Sequence, residues 1–185
     1  MLEIKRIPPT VSQKIGRRLV VEKKFVDQKG NTSSYTTIGH ENSRSVATIA
    51  VTKDHKIIIA RQFRPGPEKV MDELPGGGVE NGEEYSEAAR RELSEETGYK
   101  SDDSIVYLGD AYKDGYANGI THYFLLKNCY QECDTHNEEG EVTEPHEISI
   151  TKLINNAKNA KMTDSIAILQ AYDHLIELQK ASDEN

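Results

Sequence analysis

Residues 76–99 read GGGVENGEEYSEAARRELSEETGY. Three glycines open the stretch, acids follow, and Ala88, Ala89 and Leu93 recur at the spacing of one helical face. The pattern predicts a glycine-rich loop running into a helix. Asn81 or Gly82 would cap it, and Gly98 would end it by taking the left-handed conformation of a helix stop. On such a helix Glu92, Glu95 and Glu96 fall within an arc of about 100°. Carboxylates this close repel one another and weaken the helix unless a cation compensates. Oxygen donors with no His or Cys among them suit a hard cation, magnesium or manganese. Arg91 is placed to hold one glutamate by a charge-assisted hydrogen bond and to orient the others. Glu83, in the first turn, suits the helix dipole. The glycines let the backbone come close to a metal and to phosphates, and a carbonyl from Gly76 or Gly77 would complete the coordination. A solvated surface helix would account for the acids, but not for the glycine loop or the shared face.

Upstream, residues 17–27 and 33–38 read as strands joined by a turn at Gln28-Lys29-Gly30-Asn31, and residues 45–52 and 56–62 as a second pair. Arg64-Pro65-Gly66-Pro67 is a loop, and residues 70–74 form a short strand into Pro75-Gly76-Gly77-Gly78. Downstream, residues 105–108, 122–126 and 148–150 are strands, residues 134–144 an acidic loop, and residues 151–160 a helix. Thr163 would cap a longer helix burying Ile166, Leu169, Tyr172 and Ile176 on one face. Strands interleaved with two helical regions predict an α+β fold, with helices covering a mixed sheet. The expected organisation is an N-terminal antiparallel strand region over residues 1–43, a main domain over 44–180 and a frayed tail over 181–185.

The acids outnumber the bases 31 to 23, for a net charge of −8. That argues against non-specific nucleic-acid binding, which depends on cationic side chains. A phosphate substrate then needs a cation to reverse the local sign. Met1-Leu2-Glu3-Ile4-Lys5-Arg6 begins no signal peptide and no apolar run is long enough to span a bilayer, so the expected site is the cytoplasm, with no membrane partner. Cys129 and Cys133 make no disulfide framework, and with His136 they fall short of a zinc site.

Gly77, Glu83, Arg91, Glu92, Leu93, Glu95, Glu96, Gly98 and Tyr99 fill the pattern of the Nudix box, with Tyr99 standing where an aliphatic residue is usual. The chain thus resembles the Nudix hydrolases. The resemblance implies the Nudix fold, an α/β/α sandwich around a mixed sheet. It also implies metal ligation by Glu92, Glu96 and the Gly76 carbonyl, with Glu95 alongside and Arg91 orienting. Arg61-Gln62-Phe63-Arg64 followed by Glu73-Leu74-Pro75-Gly76-Gly77 resembles the ADP-ribose pyrophosphatase group, whose N-terminal sheet helps form a homodimer. By that likeness Arg64 contacts the substrate diphosphate, Arg61 is a second candidate, and Glu73 lies beside the site. The base in that group comes from a loop before the last short strand, which here points to Glu144, then Glu141. A proline that follows the box in that group is missing, so other nucleoside-diphosphate sugars stand beside ADP-ribose. Tyr112 and Tyr116 occupy that stretch.

The expected reaction is in-line attack of water on the diphosphate, dependent on Mg2+ or Mn2+, releasing a nucleoside monophosphate and a sugar phosphate. Arg64 would stabilise charge on the phosphoryl oxygens. Two alternatives are a domain that senses a nucleotide sugar without cutting it, and a pyrophosphatase for nucleoside triphosphates or dinucleoside polyphosphates.

Overall fold

The computed structural model describes residues 3–135 and 143–183, the last by its backbone alone. Glu141 and His136 lie outside the described residues. The chain forms two compact units. One comprises residues 1–44 and 112–120, the other residues 45–111 and 121–185.

The first unit is a three-stranded antiparallel sheet in the order β1-β2-β3, built from β1 (Ile4–Ile15), β2 (Arg18–Asp27) and β3 (Thr32–Ile38). Strand β1 was not anticipated. Pro8 and Pro9 interrupt its pattern, and the pairing with β2 shifts register between Ile7 and Val11, because proline has no N–H to give the ladder. The β2–β3 turn is held by Asp27, whose Oδ1 accepts from the amides of Lys29 (2.8 Å) and Asn31 (2.9 Å). Residues 112–120, which the sequence places in the main domain, join this unit. Asn118 donates its amide to the Ile38 carbonyl (2.6 Å) and its side chain to that of Gly39 (2.9 Å).

The second unit is a sandwich. Its strands are β4 (Arg44–Thr52), β5 (Lys56–Arg64), β6 (Lys69–Glu73), β7 (Tyr99–Lys100), β8 (Val106–Tyr112), β9 (Ile120–Gln131) and β10 (Thr143–Ser149). They run in the order β10-β5-β4-β9-β7, with β6 on β5 and β8 on β9. Its helices are α1 (Tyr85–Thr97), α2 (Ile150–Lys158), α3 (Ser165–Gln170) and α4 (Tyr172–Asp183). Side-chain alternation assigns the two faces. Ile49, Ile57, Ile59 and Leu125 pack with Leu153, Ile168 and Leu175 of α2–α4. Ala50, Ile58 and Leu126 pack with Leu93 of α1. The helices sequester apolar strands on both sides, as an α/β/α sandwich requires.

Three local expectations are corrected. Helix α1 starts at Tyr85, with Glu84 at the cap position and no side-chain cap bond, rather than after Asn81 or Gly82. Residues 80–84 instead fold back on themselves, and Glu83 accepts from the Glu80 amide (2.9 Å). Strand β9 runs well past Leu126, because Tyr130 and Gln131 pair with β7. The C-terminal helix breaks at Ala171 and buries Ala167, Ile168, Ala171 and Leu175, leaving Ile166, Leu169 and Tyr172 exposed. Small Ala167 and Ala171 let the backbone sit close to the sheet, which the bulkier stripe would prevent. Thr163 is not its cap but binds Glu73.

Candidate active site

Loop 75–78 is stitched to the middle of β4. The Val46 amide donates to the Gly77 carbonyl and the Thr48 amide to that of Pro75, each at 2.9 Å. Gly76 lies so close to this strand that a Cβ there would fall 2.2 Å from the Val46 oxygen. The stitching brings the loop against α1. The Gly76 amide donates to Glu96 Oε2 (2.8 Å), and a Cβ on Gly77 would stand 2.5 Å from the Glu92 carboxylate. Glu96 is buried, at 8 % exposure.

Arg91 gathers the remaining acids. Its Nε and Nη2 grip Glu83 at 2.9 and 3.0 Å, and its Nη1 reaches Glu92 (2.8 Å) and Glu95 (3.0 Å). Nη2 also donates to the Gly78 carbonyl (2.9 Å), tying helix to loop. The fork geometry of guanidinium makes this multiple grip possible. Arg91 in turn holds Glu83 below the usual carboxylate range. Glu83, followed by Glu92 and Glu95, pushes the guanidinium still further up. Among the described residues no three His, Cys, Asp or Glu side chains are grouped as a metal ion would need them, and the positive charge amid these acids is that of Arg91. The donors nonetheless fit a hard divalent cation. They are oxygens, Glu92 and Glu96 are seated against glycine backbone, and an Arg already offsets part of their repulsion.

The sequence model described as the NUDIX domain matches residues 41–167. The chain belongs to the Nudix family. It is 29% identical over 153 residues to the methanol dehydrogenase activator of Bacillus methanolicus, covering 82% of this chain and 80% of that one. It is 31% identical over 137 residues to the ADP-ribose pyrophosphatase of Bacillus subtilis (strain 168), covering 74% and 73%. A crystal structure of an ADP compounds hydrolase superposes with a TM-score of 0.72 at 19% identity, covering 96% of this chain and 94% of that one. At that identity the likeness is one of fold, and it is the Nudix sandwich.

Within this Nudix scaffold the departure at Tyr99 has a visible use. Its hydroxyl donates to Glu147 Oε1 on β10 (2.9 Å), fastening the end of the box to the sheet edge. Burial, then this hydrogen bond, pushes the phenol up to about 12. Gly98 takes φ 73°, and a Cβ on it would meet the Cys133 carbonyl at 2.1 Å.

Other candidates are placed unevenly. Arg64 is part-exposed. Its Nη2 lies 3.6 Å from Glu73 Oε2, and its Nε is buried with no hydrogen-bond partner among the described residues. Glu73 is fully buried, accepting from the Thr163 amide (3.1 Å) and hydroxyl (2.6 Å). Arg61 is taken up by Asp72 Oδ1 (2.9 Å) and His146 Nε2 (3.2 Å), and Asp72 also accepts from Asn156 (2.9 Å). Glu144 lies opposite Arg61 in the β10–β5 register, 3.2 Å from His146 Nε2. Thr143 and Glu147 meet Glu96 and Tyr99 at the α1 side of β10. Alternation therefore turns Glu144 towards α2. The structure brings Glu83, Arg91, Glu92, Glu95, Glu96 and Gly76 together and does not bring Glu144 to them. Thr163, Asp72 and His146 were missed. Each acts through a partner far away in the chain, and no local pattern announces that.

Proposed function

We propose that this chain hydrolyses the diphosphate bond of ADP-ribose or a related nucleoside-diphosphate sugar, releasing a nucleoside monophosphate and a sugar phosphate. The observation that carries the reading is the Arg91-tied acid cluster with Glu96 anchored on Gly76. The relative named an ADP-ribose pyrophosphatase supports the substrate class. Glu92, Glu96 and the Gly76 carbonyl would hold Mg2+, or Mn2+ in its place, with Glu95 alongside. The Gly77 carbonyl already serves Val46, which favours Gly76. The cation supplies charge neutralisation of the diphosphate and a more acidic bound water. Arg91 keeps Glu92 and Glu95 oriented. Arg64, with an unused buried Nε, offers its fork to the phosphate oxygens, and Glu73 fixes that fork from behind. Arg61, engaged on both sides, steadies the strand end from which Arg64 projects.

A base must take a proton from water. Glu95 is the nearer candidate, because it stands on α1 with its side chain 44% exposed. Glu144 is the other, and it faces away. Glu144→Gln is therefore expected to leave turnover within a few-fold, whereas Glu95→Gln lowers it by about 10²-fold or more. A large loss in the Glu144 variant alone would return the base to β10.

The protein works in the cytoplasm on this reading, without nucleic-acid or membrane partners. No helix among the described residues is long and apolar enough to cross a membrane. It is a homodimer through its first unit, where Ile4, Val11, Ile15, Tyr35 and Ile38 are all exposed on one small sheet. Light scattering is expected to give twice 20.8 kDa, and Val11→Glu to return the monomer mass. A monomer at micromolar concentration would end that part of the proposal.

The reaction is tested by incubating the protein and Mg2+ with ADP-ribose, ADP-glucose, GDP-mannose, UDP-glucose and nucleoside triphosphates, then separating the products. Monophosphate plus sugar phosphate is expected. Triphosphate cleavage alone would favour the pyrophosphatase alternative, and tight binding without products the sensing one.

A further inference from the structure

Strand β10 lays a row of polar side chains along the edge of the main sheet. In register, Glu144 stands opposite Arg61 of β5, and Arg61 opposite Asp72 of β6. His146, two residues on from Glu144, shares its face of the sheet. The row is therefore acid, base, acid, with an imidazole beside the first acid. The Asp72 side chain is only 15 % exposed, so its charge is poorly screened by water.

The His146 Nε2 has two partners at the same distance. Arg61 Nη1 lies 3.2 Å from it, and so does Glu144 Oε2. One nitrogen cannot serve both. To accept from the guanidinium it must present its lone pair, and to meet the carboxylate it must carry a proton. Asp72 is indifferent to that choice, because its Oδ1 accepts from Arg61 Nε (2.9 Å) and its Oδ2 from Asn156 (2.9 Å) in either case. Around the ring stand Arg61 from β5, Asp72 from β6, Glu144 from β10 and the uncharged Asn156 from α2. Lys152 and Lys158 of α2, and Lys161 after it, are exposed. With a neutral ring the row holds two carboxylates and one guanidinium, and a proton on His146 balances it. Imidazole is the side chain whose charge changes near neutral pH.

We propose that His146 is a positioning residue whose protonation decides how firmly Arg61 is held. The neutral ring, with its proton on Nδ1, shares Arg61 with Asp72. The protonated ring turns to Glu144 and repels the guanidinium, which keeps Asp72 alone. A consequence rests on the hydrolase reading. Arg64 lies three residues beyond Arg61 on β5, so acid loosens the strand end that presents Arg64 to the diphosphate. Substrate binding weakens, and the chemical step changes little.

The test is 15N NMR on the labelled protein without metal or substrate. The neutral His146 ring is expected to carry its proton on Nδ1. Rotation about the Arg61 Nε–Cζ bond is expected to be slow at about pH 8 and faster at about pH 5.5. His146→Gln, whose amide oxygen accepts from Arg61 at either pH, is expected to keep the rotation slow at both. A neutral ring protonated on Nε2, or a wild-type rotation that ignores pH, would overturn the proposal. In turnover assays KM is expected to rise about threefold more between those pH values in wild type than in His146→Gln, with kcat moving alike in both. Equal KM profiles would break the link to Arg64. The NMR switch in a protein that turns over no substrate would instead count against the hydrolase reading and leave the hold on Arg61 standing.

Discussion

Glu96→Gln is expected to lower kcat by about a thousandfold or more with Mg2+ present, roughly 4 kcal/mol of barrier at 1.36 kcal/mol per tenfold. The substitution is close to silent for the fold. Glutamine keeps the volume of a side chain that is 8 % exposed, and its amide oxygen can still accept from the Gly76 amide. What it loses is the negative charge, and with it a ligand to the proposed cation. Glu96 is the carboxylate most withdrawn from solvent in this cluster, so water cannot replace it cheaply. The melting temperature is expected to stay within a few degrees of wild type. Turnover within tenfold of wild type at an unchanged melting temperature would remove Glu96 from the metal site and sink the assignment that depends on it.

The site was legible where its residues are neighbours in sequence. Gly77, Glu83, Arg91, Glu92, Glu95 and Glu96 all come from one loop and one helix, so helical spacing alone sets which side chains share a face. The Arg91 grip on Glu95, four residues on, is that spacing made visible. Legibility failed where a partner is distant. Glu73 reads as a polar strand end, yet it is fully buried, because Thr163 some ninety residues later supplies its hydrogen bonds. Glu144 reads as a loop acid and a candidate for a base, but it stands within β10, where its face is set by register with β5, and a shift of one residue reverses the answer. The last helix failed for a related reason. Two apolar stripes were available, and only the packing of Ala167 and Ala171 against the sheet selects between them. Strand β1 was lost because prolines obscure its alternation. In the fold, the sandwich core was the most readable part. Consecutive Ile57, Ile58 and Ile59 belong to a strand covered on both faces.

Gly76→Ala is expected to damage stability and activity together, through one added methyl. The new Cβ would lie 2.2 Å from the Val46 oxygen, 2.7 Å from the Ala47 Cα and 2.9 Å from its Cβ. The first two are backbone atoms of β4, an inner strand of the sheet, so they cannot retreat as a flexible side chain would. The loop must lift instead. Lifting strains the two bonds that stitch it to β4, from the Val46 and Thr48 amides, and pulls the Gly76 amide off Glu96. Overpacking and lost buried hydrogen bonds together suggest a cost on the order of 3 kcal/mol. Glu96 would then be left as a buried carboxylate without its backbone donor, and the Gly76 carbonyl would move from the place where it is proposed to meet the cation. A fall in turnover of about 10²-fold or more is expected under conditions where the variant is still folded. Gly66→Ala serves as the control, because a Cβ there meets nothing within 4 Å, and its stability is expected within about 0.5 kcal/mol of wild type. Urea denaturation and turnover measured on both variants separate the possibilities. Loss of stability with full activity would show that the loop bears on the fold alone, and a Gly76 variant indistinguishable from the Gly66 control would show that the loop does not sit against β4 as described.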